Sequence, residues 1–473
     1  MYKIFDWIIN HKKITAVIAI FTIFLLILIT YLAFFQASNK IVINKELPLQ
    51  GSAEVFVLNW WVTGENNNTS EAMEEIVTGF QALYPSVEIQ IQSKRNDLVF
   101  LEEFLANPDS QPDIFTVESK SVPFYQKYSS PNQYFKGELL GDYLDRSVDV
   151  IKNNNIFSNE VYGVPLYVDN MQMYVNKNLL SNLQGLKTPA KDWETLKLQA
   201  ASFDRSKGQS LISLGSGSGV NNNYSDVFSA MMIQNSQYLD SRNRTLDQVK
   251  MQNILLDYNF FKGYSADYDN DYDAFKQGKT LYLIDYFTTN NKLKIDNPSL
   301  DFEITDIPKY PGGNNLSHAK FYSTMARKQP VSQILNPKTA EPELLQVGVN
   351  AVKKKILDDF IYYLSTENVQ KIYANKTLMP STNKKILTEQ YKAKAEIDNN
   401  RRFFDQASVA RAILPACPVK YDETLNLIIT SMQSKGSAPT TDQALEVFST
   451  NQSSLVTSVY SQNVCLPHKF VGM

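Results

Sequence analysis

Between residues 54 and 118 the apolar positions change period repeatedly. Glu54 to Trp61 (EVFVLNWW) reads as a buried strand with two tryptophans at its carboxyl end. Met73, Ile76, Val77, Phe80 and Leu83 then recur at helical spacing, with Ser70 placed as N-cap and Pro85 just past the end. Val87 to Gln92 alternates as a strand, Leu98 to Ala106 returns to a helix, and Asp113 to Val117 is the next strand. Strand, helix and strand in succession predict the seed of a parallel sheet. Ligands of such sheets gather at the carboxyl ends of strands, which singles out Trp60, Trp61, Thr116 and Glu118.

The stretch from Val161 to Leu180 carries a different signal. Val161 to Val168 and Met171 to Val175 are two strand-like runs, and Pro165 in the first disfavours a central sheet position because it has no N–H to donate. Asn176 can cap a helix over Lys177 to Leu180. A chain that leaves one sheet, bends at Gly163-Val164-Pro165 and enters a second sheet suits a two-lobed protein, and Gly163 and Pro165 are its hinge candidates. Farther on, Ile212 to Leu214, Leu281 to Ile284, Phe302 to Ile307 and Phe321 to Ala326 read as strands. Asp285 and Tyr286 sit at the end of the second of these. The third runs into a return loop with Tyr310, Gly312 and Gly313.

Ile14 to Phe35 is an uncharged apolar run, long enough as a helix to span a bilayer. Lys3, His11, Lys12 and Lys13 precede it and only Lys40 and Lys45 follow closely, so the positive-inside rule places residues 1–13 in the cytoplasm and the remainder outside. A cleaved signal peptide is the competing reading, but its apolar core is shorter and Phe35 stands where a small residue is required. No cysteine follows the run to take a lipid. Residues 36–50 are short and polar, as a linker would be.

At 473 residues the chain is long for one core, and a net charge of −3 supplies no field for nucleic acid. The 26 tyrosines and 26 phenylalanines serve either core packing or the stacking of ligand rings. Cys417 and Cys465 are the only cysteines. In an outward-facing domain they can pair, which would stabilise the fold by about 4 kcal/mol in the chain-entropy model; two unrelated buried thiols are the alternative. DYDNDYD (Asp267 to Asp273) suggests a calcium loop, yet Tyr272 and Gly278 replace the glycine and glutamate such a loop needs, so a solvated loop capping a helix from Tyr272 to Gly278 explains it better. GSGSG at residues 215–219 lacks the spacing of a dinucleotide or phosphate loop, and reads as a flexible loop. Two cysteines and His468 are too few for a zinc site, and His318 reads as structural. No motif for nucleophilic, metal or cofactor chemistry is present, so the chain is expected to be neither an enzyme nor a cofactor protein. A carboxylate pair for glycoside hydrolysis is set by spatial separation and nothing in the sequence nominates one, so an extracellular hydrolase stays a further class that only turnover of a bound glycan would support.

Five stretches in order resemble the sugar-binding, maltodextrin-binding-like class of extracellular solute-binding proteins that serve ABC importers. They are Tyr162-Gly163-Val164-Pro165 with Tyr167, Asp169 and Tyr174 to Leu180; LKTPAKDWETL from Leu186; YDAFKQGKTLYLIDY from Tyr272; Ile356 to Leu387; and Ala412 to Pro418 with Asp442 to Phe448. The resemblance implies an α/β, two-lobed periplasmic-binding-protein-like fold of type II with a hinge, preceded here by one transmembrane helix. Lobe one would be residues 51–166 and 318–388, lobe two residues 167–317 and 389–473, with two or three chain crossings restricting motion to hinge closure.

It further implies a cleft between the lobes that takes a small solute, in first place a sugar or oligosaccharide, for delivery to permease subunits by a monomer held at the cell membrane. The expected ligand residues are Trp60, Trp61, Glu118, Tyr167, Asp169, Asn223, Asp285, Tyr286, Tyr310, Gly313 and Tyr322. Trp60, Trp61, Tyr286 and Tyr322 would stack on sugar faces, Glu118, Asp169 and Asp285 would accept hydroxyl protons, and Gly313 would let backbone approach the ligand. Core packing or strand-end capping is the other reading of each. Acidic candidates in the cleft argue against an anionic ligand. A receptor that signals ligand occupancy to a membrane partner is the alternative function.

Overall fold

The computed structural model describes residues 55–460 apart from 64–66, 96, 107–110, 155, 158, 215–223, 238–244, 266–269, 329–339, 394–397 and 436–438. The expected strand–helix–strand run forms as β1 (Phe56–Thr63), α1 (Asn67–Leu83), β2 (Val87–Lys94), α2 (Asp97–Ala106) and β3 (Ile114–Glu118). β1 pairs in parallel with both β2 and β3. Ser70 is not the cap of α1, because the helix takes in Asn67 to Ser70 as its first turn. α1 ends at Leu83, where Pro85 prevents its continuation.

Short helices α3 (Val122–Tyr125), α4 (Gly137–Arg146) and α5 (Asp149–Asn154) and a small hairpin, β4 (Ile156–Phe157) with β5 (Glu160–Val161), lead to β6 (Gly163–Asn176). Then follow α6 (Lys177–Ser181), α7 (Trp193–Ser202), β7 (Ser210–Ser213), α8 (Tyr224–Gln234), α9 (Gln248–Lys262), α10 (Asp271–Lys276), β8 (Thr280–Tyr286), α11 (Phe287–Asp296), β9 (Phe302–Thr305) and β10 (Ala319–Ala326). Helices complete the chain: α12 (Ala340–Leu364), α13 (Glu367–Thr377), α14 (Lys384–Ala393), α15 (Asp398–Ala407), α16 (Pro418–Gln433) and α17 (Thr441–Tyr460). Side chains cap several of them: Asn176 Oδ1 accepts from the Leu179 amide at 3.1 Å, and Asp192 Oδ1 accepts from the Thr195 amide at 2.7 Å.

β6 corrects the expected bend. Gly163 to Asn176 is one strand of 14 residues, not two runs joined by a turn. The Pro165 carbonyl accepts from Thr382 Oγ1 at 2.8 Å and Gln370 Nε2 at 3.2 Å, so it points away from β10. In an extended strand N–H and C=O of one residue point the same way, so the missing N–H falls on a side that carries no strand ladder. Gly163 packs tightly at the other edge: a Cβ there would lie 2.5 Å from Ser323 Oγ and 2.8 Å from the Thr324 carbonyl oxygen.

The strands follow the order β2-β1-β3-β10-β6-β8-β7, with β9 also on β6. β6 changes partners along its length. From Gly163 to Asn170 it pairs with β10, and from Met171 onward it pairs with β8 and β9. β10 begins at Ala319, opposite Asn170. The change of neighbours on β6 therefore falls at Asn170 and Met171, beyond Gly163 and Pro165.

Two apolar clusters flank this crossing. Trp61, Phe100, Phe104, Phe115 and Tyr125 form one beside β1 and β3. A larger one gathers Trp193, Phe228, Tyr258, Phe261, Tyr282 and Leu425 around β7, β8 and helices α7 to α9, α16 and α17. Among the described residues no helix is long and apolar enough to cross a membrane, and Ile14 to Phe35 lies outside them.

Candidate functional site

Residues opposite each other in an antiparallel pair share a face of the sheet. β10 sets Lys320 opposite Asp169 of β6 and Tyr322 opposite Glu118 of β3, so these four stand on one face at the crossing. Tyr167, two residues before Asp169, joins them. Its ring stacks on Tyr322 at 5.7 Å and on Tyr373 of α13 at 5.4 Å, with interplanar angles of 25° and 6°. Trp60 stands beside this stack. Its Nε1 donates to Thr116 Oγ1 at 2.8 Å, and Thr116 shares a hydrogen bond of 2.9 Å with Thr324. Trp60, Thr116, Tyr167, Tyr322 and Tyr373 line one small cavity of about 30 Å³.

From the other side β8 delivers Asp285 and Tyr286 as its last two residues, and α11 begins directly after them. Tyr286 donates its hydroxyl proton to Asp226 Oδ2 at 2.8 Å and stands 3.0 Å from His318 Nδ1. With that proton given to Asp226, the phenol oxygen accepts from His318, which fixes the imidazole with its proton on Nδ1. Burial pushes His318 down to about 4 against the opposing pull of Asp226, so the ring is neutral at pH 7. Burial would raise Asp226, but His318, Lys120, Lys320 and the Tyr286 hydroxyl outweigh it and hold this carboxyl below its ordinary value.

Asp169 and Asp285 are both raised, first by burial. Asp169 reaches about 6 even though Lys320 and two bonds from Thr288 favour its charged form. Those bonds come from the Thr288 hydroxyl at 3.0 Å and amide at 3.3 Å. Asp285 accepts from the Tyr286 amide at 2.8 Å and Thr289 Oγ1 at 2.7 Å. The two carboxylates thus hold the first turn of α11. Lys320 lies among Glu118, Asp169, Asp226 and Asp285, whose fields outweigh desolvation and raise it. Its ammonium sits 3.8 Å from the Tyr286 ring centroid. Next to these residues is a cavity of about 220 Å³, lined by Asp271, Tyr272, Asp285, Tyr286, Thr288, Thr289, Lys292 and Lys320.

Lys120, just past β3, reaches Asp422 of α16 at 3.2 Å and lies 4.0 Å from Glu118. A third, mainly apolar cavity of about 180 Å³ adjoins this pair, lined by Phe100, Phe124, Tyr125, Pro418 and Val419 among others.

Of the expected ligand residues the structure therefore brings Trp60, Glu118, Tyr167, Asp169, Asp285, Tyr286 and Tyr322 to the crossing. It does not bring Trp61, whose side chain leaves the opposite face of β1, meets Phe100 edge-on at 5.7 Å and carries Lys94 Nζ over its ring at 3.7 Å. Tyr310 is buried against Trp193 at 6.0 Å. Gly313 answers to its own chain: a Cβ there would stand 2.6 Å from the Gln234 carbonyl oxygen. Asn223, the loop at 215–219 and Cys465 lie outside the described residues; Cys417 is buried at the start of α16. Within the DYDNDYD run Asn270 caps α10, accepting from the Tyr272 amide at 3.0 Å, as a loop capping a helix requires; residues 267–269 lie outside the described residues. Lys120, Asp226, Thr288, Lys320 and Tyr373 were missed. Lys320 alone carried a signal, since it precedes Tyr322 by the strand period of two.

A sheet of mixed direction with a polar, aromatic cleft where one strand changes neighbours defines a solute-binding architecture. Residues 66–332 match the bacterial extracellular solute-binding protein family, and the chain belongs to it. Proteins of Brucella abortus and Brucella suis, named provisionally as binding proteins, are 22% identical over 281 residues, covering 56% of this chain and 67% of theirs. Similar solved structures include the cyclic alpha-maltosyl-1,6-maltose binding protein from Arthrobacter globiformis, with 14% identity, a TM-score of 0.67 and coverage of 86% of this chain and 100% of that one. The GacH receptor of Streptomyces glaucescens, solved also with acarbose, gives 16%, 0.61, 85% and 99%. A substrate-binding protein of Listeria monocytogenes in complex with cycloalternan gives 13%, 0.62, 85% and 98%. At these identities the likeness shows the fold, an α/β architecture like that of two-lobed sugar-binding proteins.

Proposed function

We propose that this chain captures a carbohydrate between two lobes outside the cell and hands it to the permease of an ABC importer. The observation that carries the reading is the side-by-side placement, at the strand crossing, of stacked tyrosines and carboxylates. Aromatic faces suit the apolar side of a sugar ring, and carboxylate and hydroxyl groups suit its rim. The sugar-binding titles among the similar structures support the same class of solute.

The lobes we infer are residues 51–166 with 318–388 and residues 167–317 with 389–473. The change of partners on β6 at Asn170 and Met171, and the start of β10 at Ala319, support divisions close to these. The apolar run Ile14 to Phe35, with its preceding lysines, would hold the protein to the membrane as a single-pass monomer. The ligand residues on this reading are Trp60, Glu118, Tyr167, Asp169, Asp285, Tyr286 and Tyr322, and the chemistry is binding without turnover.

The test is thermal unfolding of the full chain against oligosaccharides, amino acids, peptides and polyamines. A ligand at about 100 times its dissociation constant adds about 2.7 kcal/mol. Stabilisation by a saccharide recovered with unchanged mass is expected. Response to another class alone would overturn the assignment of the solute, and a shortened saccharide would overturn the assignment as a binding protein.

A further inference from the structure

The cavity beside Tyr286 holds two aromatic faces, and each is covered by an ammonium. Lys320 Nζ lies 3.8 Å from the Tyr286 ring centroid, and Lys292 Nζ lies 4.1 Å from that of Tyr272. Both lysines and both tyrosines line the same cavity. Each ammonium has three N–H donors and no acceptor capacity. Among the described residues neither makes a hydrogen bond to the protein or an ion pair within 4.0 Å.

Three carboxylates beside the same cavity are already engaged, while Asp271 on its wall keeps acceptor capacity at Oδ1. Asp285 takes bonds from Tyr286 and Thr289, Asp169 takes both of its bonds from Thr288, and Asp226 takes the Tyr286 proton. Threonine protons point to those carboxylates, and the Tyr272 hydroxyl donates to Asp296 at 2.6 Å. What the cavity offers a ligand is therefore donor capacity at two positive charges, each resting on an aromatic face that a sugar ring could share.

We propose that the solute is an acidic saccharide, a sugar carrying a carboxylate or sulfate, whose anionic group is received by Lys292 and Lys320. This deepens the carbohydrate reading and rests on it. The carboxylates Glu118, Asp169, Asp226 and Asp285, and Asp271 on the cavity wall, oppose an anion, but none forms an ion pair within 4.0 Å of Lys320, and the Coulomb term falls with distance. A ligand anion in direct contact with two ammoniums gains more from them than it loses to charges held farther away. It also fits the geometry: a cation resting on a tyrosine is held there weakly and can turn to a stronger partner.

The experiment measures affinity of the full chain for matched pairs by calorimetry: trigalacturonate against its methyl ester, and sulfated maltotriose against maltotriose. The expected result is at least a tenfold preference for the acidic member of one pair, which also tells carboxylate from sulfate. Lys292→Met and Lys320→Met should each remove most of the preference for the acidic member. Because the wild-type comparison needs no variant, a folding defect in either substitution leaves the test intact. Equal or tighter binding of the neutral members would overturn this proposal and keep the carbohydrate reading. Failure of every saccharide, with stabilisation by an amino acid, peptide or polyamine, would overturn both.

Discussion

Lys120 and Asp422 form an ion pair of 3.2 Å that ties the segment after β3 to α16, elements that belong to different lobes on the division given above. Both side chains are about one-third exposed, so the pair contributes at most about 1 kcal/mol, screened further by salt. That is small for global stability but about fivefold in an opening equilibrium. Asp422→Asn should therefore enlarge the radius of gyration of the unliganded protein in solution scattering, with a melting temperature within a few degrees of wild type. An unchanged scattering curve at low salt would show that the pair does not hold the lobes together.

Asp169 gives the cleft a pH dependence with a defined sign. Burial lifts its folded value to about 6 from the 3.8 of an ordinary aspartate. Between these values the folded state binds more protons than the unfolded one, so this group favours folding at low pH and its contribution falls as pH rises through about 6. At 1.36 kcal/mol per unit the full swing is about 3 kcal/mol. Asp169→Asn, which mimics the protonated form and keeps one acceptor for Thr288, should unfold at higher urea concentration than wild type at pH 7.5. The difference should shrink toward pH 4, and a difference independent of pH would contradict the assigned environment.

Trp61 and Tyr322 separate core from cleft. Trp61 lies in the cluster around Phe100, whereas Tyr322 stacks on Tyr167 at the crossing. Trp61→Phe should lower stability by about 1–3 kcal/mol while saccharide affinity stays within twofold. Tyr322→Ala should reverse the pattern, with little change in unfolding and a loss of about tenfold in affinity. Equal affinity losses in both would return Trp61 to the ligand set.

These two residues also show what could be read from the chain beforehand. Adjacent tryptophans at a strand end look alike in sequence, yet successive side chains leave a strand on opposite faces, so only one of the pair can face the cleft. Period alone locates β1 but not which of its faces is covered by α2. The strands of the main sheet and helices α1, α2, α6 and α10 followed from local signals, and Asp285, Tyr286 and Glu118 from the rule that strand ends meet ligands. Lys320 and Asp226 did not, because their roles arise from register between β10, β6 and β3 and from the packing of α8, which are long-range relations. Pro165 misled for a similar reason: proline breaks a ladder only on the side its nitrogen faces, and the partner on that side, residues 380–382, lies more than 200 positions away.

Gly163 tests how closely β6 and β10 must approach. A Cβ at this position would stand 2.5 Å from Ser323 Oγ, 2.7 Å from Met325 Cγ and 2.8 Å from the Thr324 carbonyl oxygen. The serine and methionine ends can shift, but the carbonyl belongs to the strand ladder, so relief requires the strands themselves to separate. Gly163→Ala should cost about 1–3 kcal/mol as overpacking of a fixed interface. Since Glu118, Asp169, Lys320 and Tyr322 are registered through the same strands, saccharide affinity should fall with it. Ser323→Ala in the Gly163→Ala background removes the nearest side-chain contact and leaves the carbonyl contact in place. Urea unfolding of the double variant should therefore recover only part of the loss; full recovery would show that the hydroxyl, and not the backbone approach, demands glycine here.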